Sequence, residues 1–174
     1  MREIEWRILS ELMKNARRSD RELARLIGTS QPTVTRVRTK LEKNGYIREY
    51  TVIPNFQKLG YQILAVTLFK YKKRFDAEKI KKAKKILGKN FKEGPFEIIM
   101  AERGLGGGYN AIMISVHTDY ESFTALMNWA QQFYDLELDE FESFLVNLAE
   151  EVRYQPLTFS SLARHLLMLE QRKE

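Results

Sequence analysis

Residues 29–47 read TSQPTVTRVRTKLEKNGYI. Val34, Val37 and Leu41 recur there at helical spacing, and almost everything between them is small, polar or basic. Arg36, Arg38, Lys40 and Lys43 stand against a single acid, Glu42. A guanidinium can bond two acceptors on a guanine edge at once, an amide can do the same on adenine, and an ammonium ion holds a phosphate as a point charge. The chemistry available to this segment is therefore the binding of a polyanion.

Helical geometry sorts these side chains. At ~3.6 residues per turn the three apolar residues face a core. The opposite side presents Pro32, Thr35, Arg36, Thr39 and Lys43, with Gln31, Thr33 and Lys40 on its flanks. Short or amide-bearing groups cluster at the N-terminal end, where backbone N–H groups also point outward. Long cations follow. This is the layout of a recognition helix, whose first turns read base edges while its flanks hold the sugar–phosphate backbone. Arg36 is the candidate for a guanine, Gln31 for an adenine, and Arg48, just beyond the helix, for a phosphate.

The elements around this helix follow from the same kind of reading. Residues 3–14 place Ile4, Ile8, Leu9, Leu12 and Met13 on one face, which predicts an amphipathic helix. Ser19 opens S-D-R-E, a capping box with Glu22. The helix that follows buries Leu23, Ala24, Leu26 and Ile27 and stops at Gly28. Ser30 caps the third helix, Pro32 falls in its first turn, and Gly45 ends it. YIREYTVIP (46–54) alternates like a short strand pair with a tight connection. Three helices closed by a small hairpin predict a winged helix-turn-helix over residues 1–54.

Charge supports this division. Residues 1–60 hold 13 Lys and Arg against 7 Asp and Glu, whereas residues 61–174 hold 16 of each. The whole surplus of +6 sits in the first third, so the expected partner of that third is nucleic acid, most simply double-stranded DNA. The chain has no cysteine, which excludes disulfides and thiolate metal sites, and only two histidines, His117 and His165. The first residues lack the apolar stretch of a signal peptide, and runs such as ILAV (63–66) are too short to cross a bilayer. A cytoplasmic protein without membrane partner, metal or cofactor is expected.

Residues 3–60, EIEWRILSELMKNARRSDRELARLIGTSQPTVTRVRTKLEKNGYIREYTVIPNFQKLGY, resemble the N-terminal domain of the Lrp/AsnC or "feast/famine" transcription regulators. The EI…IL start, the L…G-x-S-x-x-T-V…R-x-x-x-L-E-x-x-G-x-I core and the later G-Y carry the resemblance. It implies that Ser30, Gln31, Thr33 and Arg36 stand at DNA-reading positions. Trp6 departs from the usual polar residue and is expected either half-exposed or against a partner chain.

Beyond a linker at 55–61, residues 62–150 read as strand (62–71), helix (76–90), strands (96–102 and 109–118), helix (120–135) and strand (140–148). The order βαββαβ predicts an α+β, ferredoxin-like fold with two helices on one face of an antiparallel sheet. The resemblance implies the same fold there, in a module that forms dimers, tetramers or octamers through its sheets and responds to a small-molecule effector. The family's G-D-Y-D-like effector loop has only Gly107, Gly108, Tyr109 and Asn110 as its counterpart, without the acids. Residues 151–174 extend past the resemblance. SSLARHLLMLEQ within them predicts a helix with Leu162, Leu166 and Leu169 on one side, packed on the same subunit or a dimer mate.

Other motifs carry plainer expectations. GLGGG (104–108) lies between strands, so it is a hairpin loop rather than a phosphate cradle. The lysine run at 70–85 is read as a solvated face. Met100, Met113 and Met127 fill a core, the aromatics of 120–144 pack a core or dimer contact, and both histidines are structural. No catalytic constellation is found, so no enzyme is expected. Two rivals remain to the sequence-specific regulator. One is an architectural protein indifferent to sequence, the other a small-molecule sensor or enzyme centred on residues 61–174.

Overall fold

The computed structural model describes residues 1–72, 96–131, 138–150 and 155–171. The helix expected at 76–90 and most of the lysine run lie outside these residues. The chain divides into two compact units. Residues 1–54 and 154–174 form one, and residues 55–153 the other. Residues 55–61, expected as a linker, cluster with the second unit, where Gln57–Leu59 form a 3-10 turn closed by Gly60.

The first unit contains helices α1 (Glu3–Lys14), α2 (Asp20–Ile27) and α3 (Gln31–Lys43). The predicted capping box forms around α2: Ser19 Oγ accepts from the Glu22 N–H at 3.2 Å, and the Glu22 carboxylate accepts from the Ser19 N–H at 2.7 Å. Gly28 then takes φ +79°, the left-handed conformation that lets the chain turn from α2 into α3. The core consists of Ile8 and Leu12 from α1, Leu23, Ala24 and Ile27 from α2, and Val34, Val37 and Leu41 from α3. Ile4, Leu9 and Ile47 pack against it half-buried. Leu26, expected inside, is 54% exposed, because only three of the four apolar residues of an eight-residue helix fit its inward stripe.

The expected hairpin after α3 is not formed. Residues 47–55 are irregular, without a ladder. The segment IREYTVIP contains neither the glycine nor the asparagine that a tight hairpin turn demands. Ile47 anchors it to the core, and Tyr50 ties it to α3.

The second unit holds β1 (Ile63–Tyr71), β2 (Glu97–Gly106), β3 (Tyr109–His117), α4 (Tyr120–Gln131) and β4 (Leu138–Asn147). The sheet order is β2-β3-β1-β4 with every neighbouring pair antiparallel, the ferredoxin-like arrangement in an α+β fold. The strands run further toward the glycines than their apolar residues imply. Gly106 pairs with Tyr109, and only Gly107 (φ +56°) and Gly108 (φ +87°) remain in the turn. Two successive positive φ values are what a two-residue hairpin needs.

Strand alternation gives the sheet two faces. Ala65, Phe69 and Met113 meet Phe123, Leu126 and Met127 of α4 in a second core. Thr67, Ser115 and His117 are buried on that same side, where Ser115 Oγ and His117 Nε2 lie 2.8 Å apart. Met100, expected in the core, is 37% exposed. It pairs with Ile114, which belongs to the alternate face.

The last helix, α5 (Ser160–Gln171), belongs to the first unit and lies along α1. Ala163 is its buried residue, with Leu166 and Leu167 half-buried beside it, whereas Leu162 is exposed. Of the expected stripe, Leu166 thus faces inward and Leu162 does not, the Leu169 side chain lies outside those described, and the small Ala163 takes the buried place against α1. No helix among the described residues is long and apolar enough to cross a membrane, and no group of three or more potential ligands there could hold a metal ion.

Candidate nucleic-acid interface

Helix α3 starts where two side chains satisfy its first turn. Ser30 Oγ accepts from the Thr33 N–H at 3.4 Å and lies 2.8 Å from Thr33 Oγ1. These two residues therefore set the helix start, with their hydroxyls turned toward each other. Pro32 follows in the first turn, where its missing N–H costs little.

The other predicted side chains separate into two groups. Pro32, Arg36, Thr39 and Lys43, spaced by four, three and four residues, share one exposed stripe opposite Val34, Val37 and Leu41. Gln31 is exposed at its edge, and Arg48 is exposed just beyond the helix. Among the described residues Arg36, Lys43 and Arg48 enter no ion pair, so their charge faces outward.

Thr35 and Lys40 are engaged inside the unit. Thr35 Oγ1 donates to Asp20 Oδ2 at 2.6 Å, joining α3 to the start of α2. Lys40 Nζ donates to Glu5 Oε1 at 2.7 Å, joining α3 to α1. The Glu5 side chain is only 4% exposed, and its other oxygen accepts from the Arg2 N–H at 2.8 Å. The Lys40 hydrogen bond first, then the Arg2 N–H, draw its pKa down to about 2 against the cost of burial. Sequence offered a faint signal of this: Glu5, Ile8 and Leu12 stand at i, i+3 and i+7, so the acid sits on the inward stripe.

The single acid of α3 is turned away from the open stripe. Glu42 Oε1 accepts from the Tyr50 hydroxyl at 2.7 Å and lies 3.6 Å from Arg38 Nε. Arg38 in turn reaches Asp20 Oδ1 at 3.0 Å and lies over the Tyr50 ring. Partial burial opposes its charge, but Tyr50 and Asp20 outweigh that and hold its guanidinium above the ordinary value. This cluster of Asp20, Arg38, Glu42 and Tyr50 neutralises one flank of α3. Arg38 and Tyr50 were not among the predicted contacts. Tyr50, one of two tyrosines in YIREYTVIP, was the available hint.

The residues predicted as an effector loop are built into the sheet. Gly107 and Gly108 form the hairpin turn. Asn110 Oδ1 accepts from the Tyr71 N–H and Nδ2 donates to the Tyr71 carbonyl, both at 3.0 Å, so the side chain extends the β1–β3 ladder. Loss of hydration and a hydrogen bond to Glu142 push the Tyr109 hydroxyl up to about 12.

An open, cation-bearing helix face without an exposed acid, following a glycine turn between two helices, is the geometry of a DNA-reading module. Residues 1–48 match the family model described as winged helix-turn-helix DNA-binding. An uncharacterised HTH-type transcriptional regulator of Pyrococcus furiosus is 40% identical over 72 residues, which cover 41% of this chain and 48% of that protein. The leucine-responsive regulatory protein of Rhizobium meliloti is 38% identical over 74 residues, 42% of this chain and 47% of that protein. These matches span about half the length of the relatives. Solved structures cover far more. The crystal structure of PH0061 superposes on 90% of this chain and 98% of its own with a TM-score of 0.68 at 25% identity. That protein is an uncharacterised HTH-type transcriptional regulator of Pyrococcus horikoshii. The structure of E. coli AsnC covers 90% of this chain and 97% of its own, with a TM-score of 0.64 at 22% identity.

Over most of its length the chain has the fold of these regulators, and its first 48 residues match the DNA-binding module. The module matched at residues 1–48 precedes the antiparallel sheet in the chain, while residues 154–174 return to the first unit. Within the matched residues, α3 carries Pro32, Arg36, Thr39 and Lys43 on its outer stripe.

Proposed function

We propose that the chain is a sequence-specific, DNA-binding transcription regulator that works in the cytoplasm as a homodimer or higher assembly, not as an enzyme. The observation that carries this reading is the outer stripe of α3. It displays two unpaired cations and a threonine, and its one acid is bonded aside to Tyr50. Arg36 reads a guanine edge, Gln31 an adenine edge, and Lys43 and Arg48 hold phosphates. Ser30, Thr33 and Thr35 shape the helix start that approaches the bases. Lys40 acts chiefly through Glu5.

The second unit supplies the pairing surface. Leu64, Val66 and Leu68 of β1 share a sheet face with Ile112 and Ile114 of β3 and with Phe144 and Val146 of β4. Phe144 is 71% exposed there, and Val146 is 38% exposed. A flat apolar face of this kind favours a second copy of itself, related by a two-fold axis. A dimer would set two recognition helices against two half-sites roughly one turn of DNA apart, so the operator is expected to be an imperfect palindrome.

Selection of bound fragments from random duplexes tests the reading. A regulator enriches a palindromic motif and prefers it to random DNA by roughly a thousandfold or more, whereas an architectural protein shows a ratio near one. Phe144→Glu should yield monomers by sedimentation. A variant that stays dimeric would remove the sheet face from the proposal.

A further inference from the structure

A cleft of about 350 Å³ opens within the first unit, between the start of α1 and the end of α3. Arg2 and Glu5 line it from α1 and the residue before it, Lys40 and Asn44 from the end of α3, and Tyr46 from just beyond. Two cations converge there on a single atom. Lys40 Nζ lies 2.7 Å from Glu5 Oε1, and Arg2 Nη2 lies 3.5 Å from the same oxygen. The other oxygen already accepts the Arg2 N–H. One carboxylate balances only one cation. Lys40 holds the short contact, so the surplus charge falls to Arg2, whose contact is long and whose side chain is 56% exposed. Glu3, the other acid in the first turn of α1, is engaged by Arg7 at 3.6 Å.

The charge differs from one side of α3 to the other. At helical spacing, Lys40 and Asn44 stand on one flank of the outer stripe, and Arg38 and Glu42 on the other. On the second flank Asp20 and Glu42 share one guanidinium, that of Arg38. That flank therefore carries a surplus acid, and the cleft flank a surplus cation. A helix in the major groove runs between two sugar–phosphate backbones, so its flanks face different strands. The acid flank repels phosphates and the cleft flank attracts them. A guanidinium can bond two phosphate oxygens at once, and the exposed Asn44 and Tyr46 add an amide and a hydroxyl donor at the same cleft.

Building on the DNA-binding function proposed above, we infer that this cleft seats one phosphate of the DNA backbone, held by Arg2, while Lys40 balances Glu5 and so leaves Arg2 free to bind it. The seat carries no base information. It adds to α3 a contact from the start of α1 and ties the helix to one strand rather than both.

The test uses the full chain and the selected duplex, with single phosphates replaced one at a time by uncharged methylphosphonates. Arg2→Ala should weaken cognate and random duplexes alike, by about fivefold at low salt, and lower the salt slope by about 1. It should also become insensitive to replacement at one phosphate that matters to the wild-type chain, and stay sensitive at the others. Arg2→Lys should keep the salt slope and recover part of the affinity, because the charge remains but the two-pronged contact does not. Asn44→Asp, which puts a carboxylate in the cleft with Arg2 in place, should weaken all duplexes in the same manner. Arg7→Ala, on the same helix but outside the cleft, should match the wild-type profile. A replacement profile left unchanged by Arg2→Ala, or an unchanged salt slope, would overturn the assignment to DNA. Inorganic phosphate alone, titrated while the amide signals of residues 2–5 and 44–46 are followed, separates the remaining source. Shifts in that titration together with an unchanged replacement profile would give the cleft to a free anion and overturn the assignment as well. Failure of the wild-type chain to bind any duplex would instead remove the DNA-binding reading beneath it.

Discussion

The guanidinium of Arg38 lies over the ring of Tyr50, 4.7 Å from its centroid, while Arg38 Nε donates a 2.8 Å hydrogen bond to the Tyr50 hydroxyl. That hydroxyl in turn donates a hydrogen bond to Glu42 Oε1. The tyrosine thus closes a chain of polar contacts that keeps the carboxylate off the outer stripe of α3. Tyr50→Phe retains the ring but removes both hydrogen bonds. Stability of the first unit should fall by about 1 kcal/mol in denaturant titration. The released Glu42 should weaken binding to cognate and scrambled duplexes alike, most strongly at low salt.

Three of the four cations of α3 should separate by role. Arg36→Ala is expected to cost about 1–3 kcal/mol on the selected site and to relax preference at one base position. Lys43→Ala should weaken all sequences similarly and lower the salt slope by about 1. Equal losses on specific and random DNA for both variants would show that Arg36 reads no base. Lys40→Ala should act mainly on folding, because it strands Glu5. Lys40 is half-exposed, so screening trims the cost to about 1 kcal/mol.

Glu5 and His117 assign different acid transitions to the two units. The Glu5 pKa is lowered, by Lys40 foremost, to about 2. Its contribution is fully present above the ordinary carboxylate range and is lost as pH falls through that range toward about 2. Burial lowers the His117 pKa. The neutral imidazole is the form that folding favours, so the second unit keeps this stability above the ordinary histidine range and loses it as pH falls below. Denaturant midpoints followed against pH should show the second unit weakening first. His117→Gln should flatten that earlier slope and leave the later one unchanged.

The hairpin turn is a test of backbone rather than of function. Gly107 and Gly108 both hold positive φ, and a side chain at Gly108 would meet open space. Space is therefore not the obstacle, and Gly108→Val should still cost about 1–2 kcal/mol from conformational strain alone. The melting temperature of the second unit measures it. A neutral outcome would mean the turn can rearrange freely.

Much of the first unit was legible from sequence because its signals are local. Ser19 with Glu22, Gly28, Ser30 and Gly45 punctuate three helices at short range, and Val34, Val37 and Leu41 reveal which side of α3 faces in. The post-helix hairpin was misread for the same reason: alternation alone cannot supply the turn or the partner strand that a ladder needs. In the second unit, strand positions were clear, but GLGGG looked like a loop until Gly106 was found paired with Tyr109. Met100 was assigned to a core because apolarity does not say which sheet face is covered.

What the sequence alone determined was the order of elements, the caps, the excess cations in the first third and the outward stripe of α3, since all of these follow from spacing along one helix or strand. Only the tertiary structure decided which cations are free. Lys40 and Arg38 look like Arg36 and Lys43 in sequence, yet Glu5, Asp20 and Tyr50 claim them. It also joined Ser10 to Ala163, across 153 residues. Pairings between distant parts of a chain depend on how whole helices approach, and that information is not held in any local stretch.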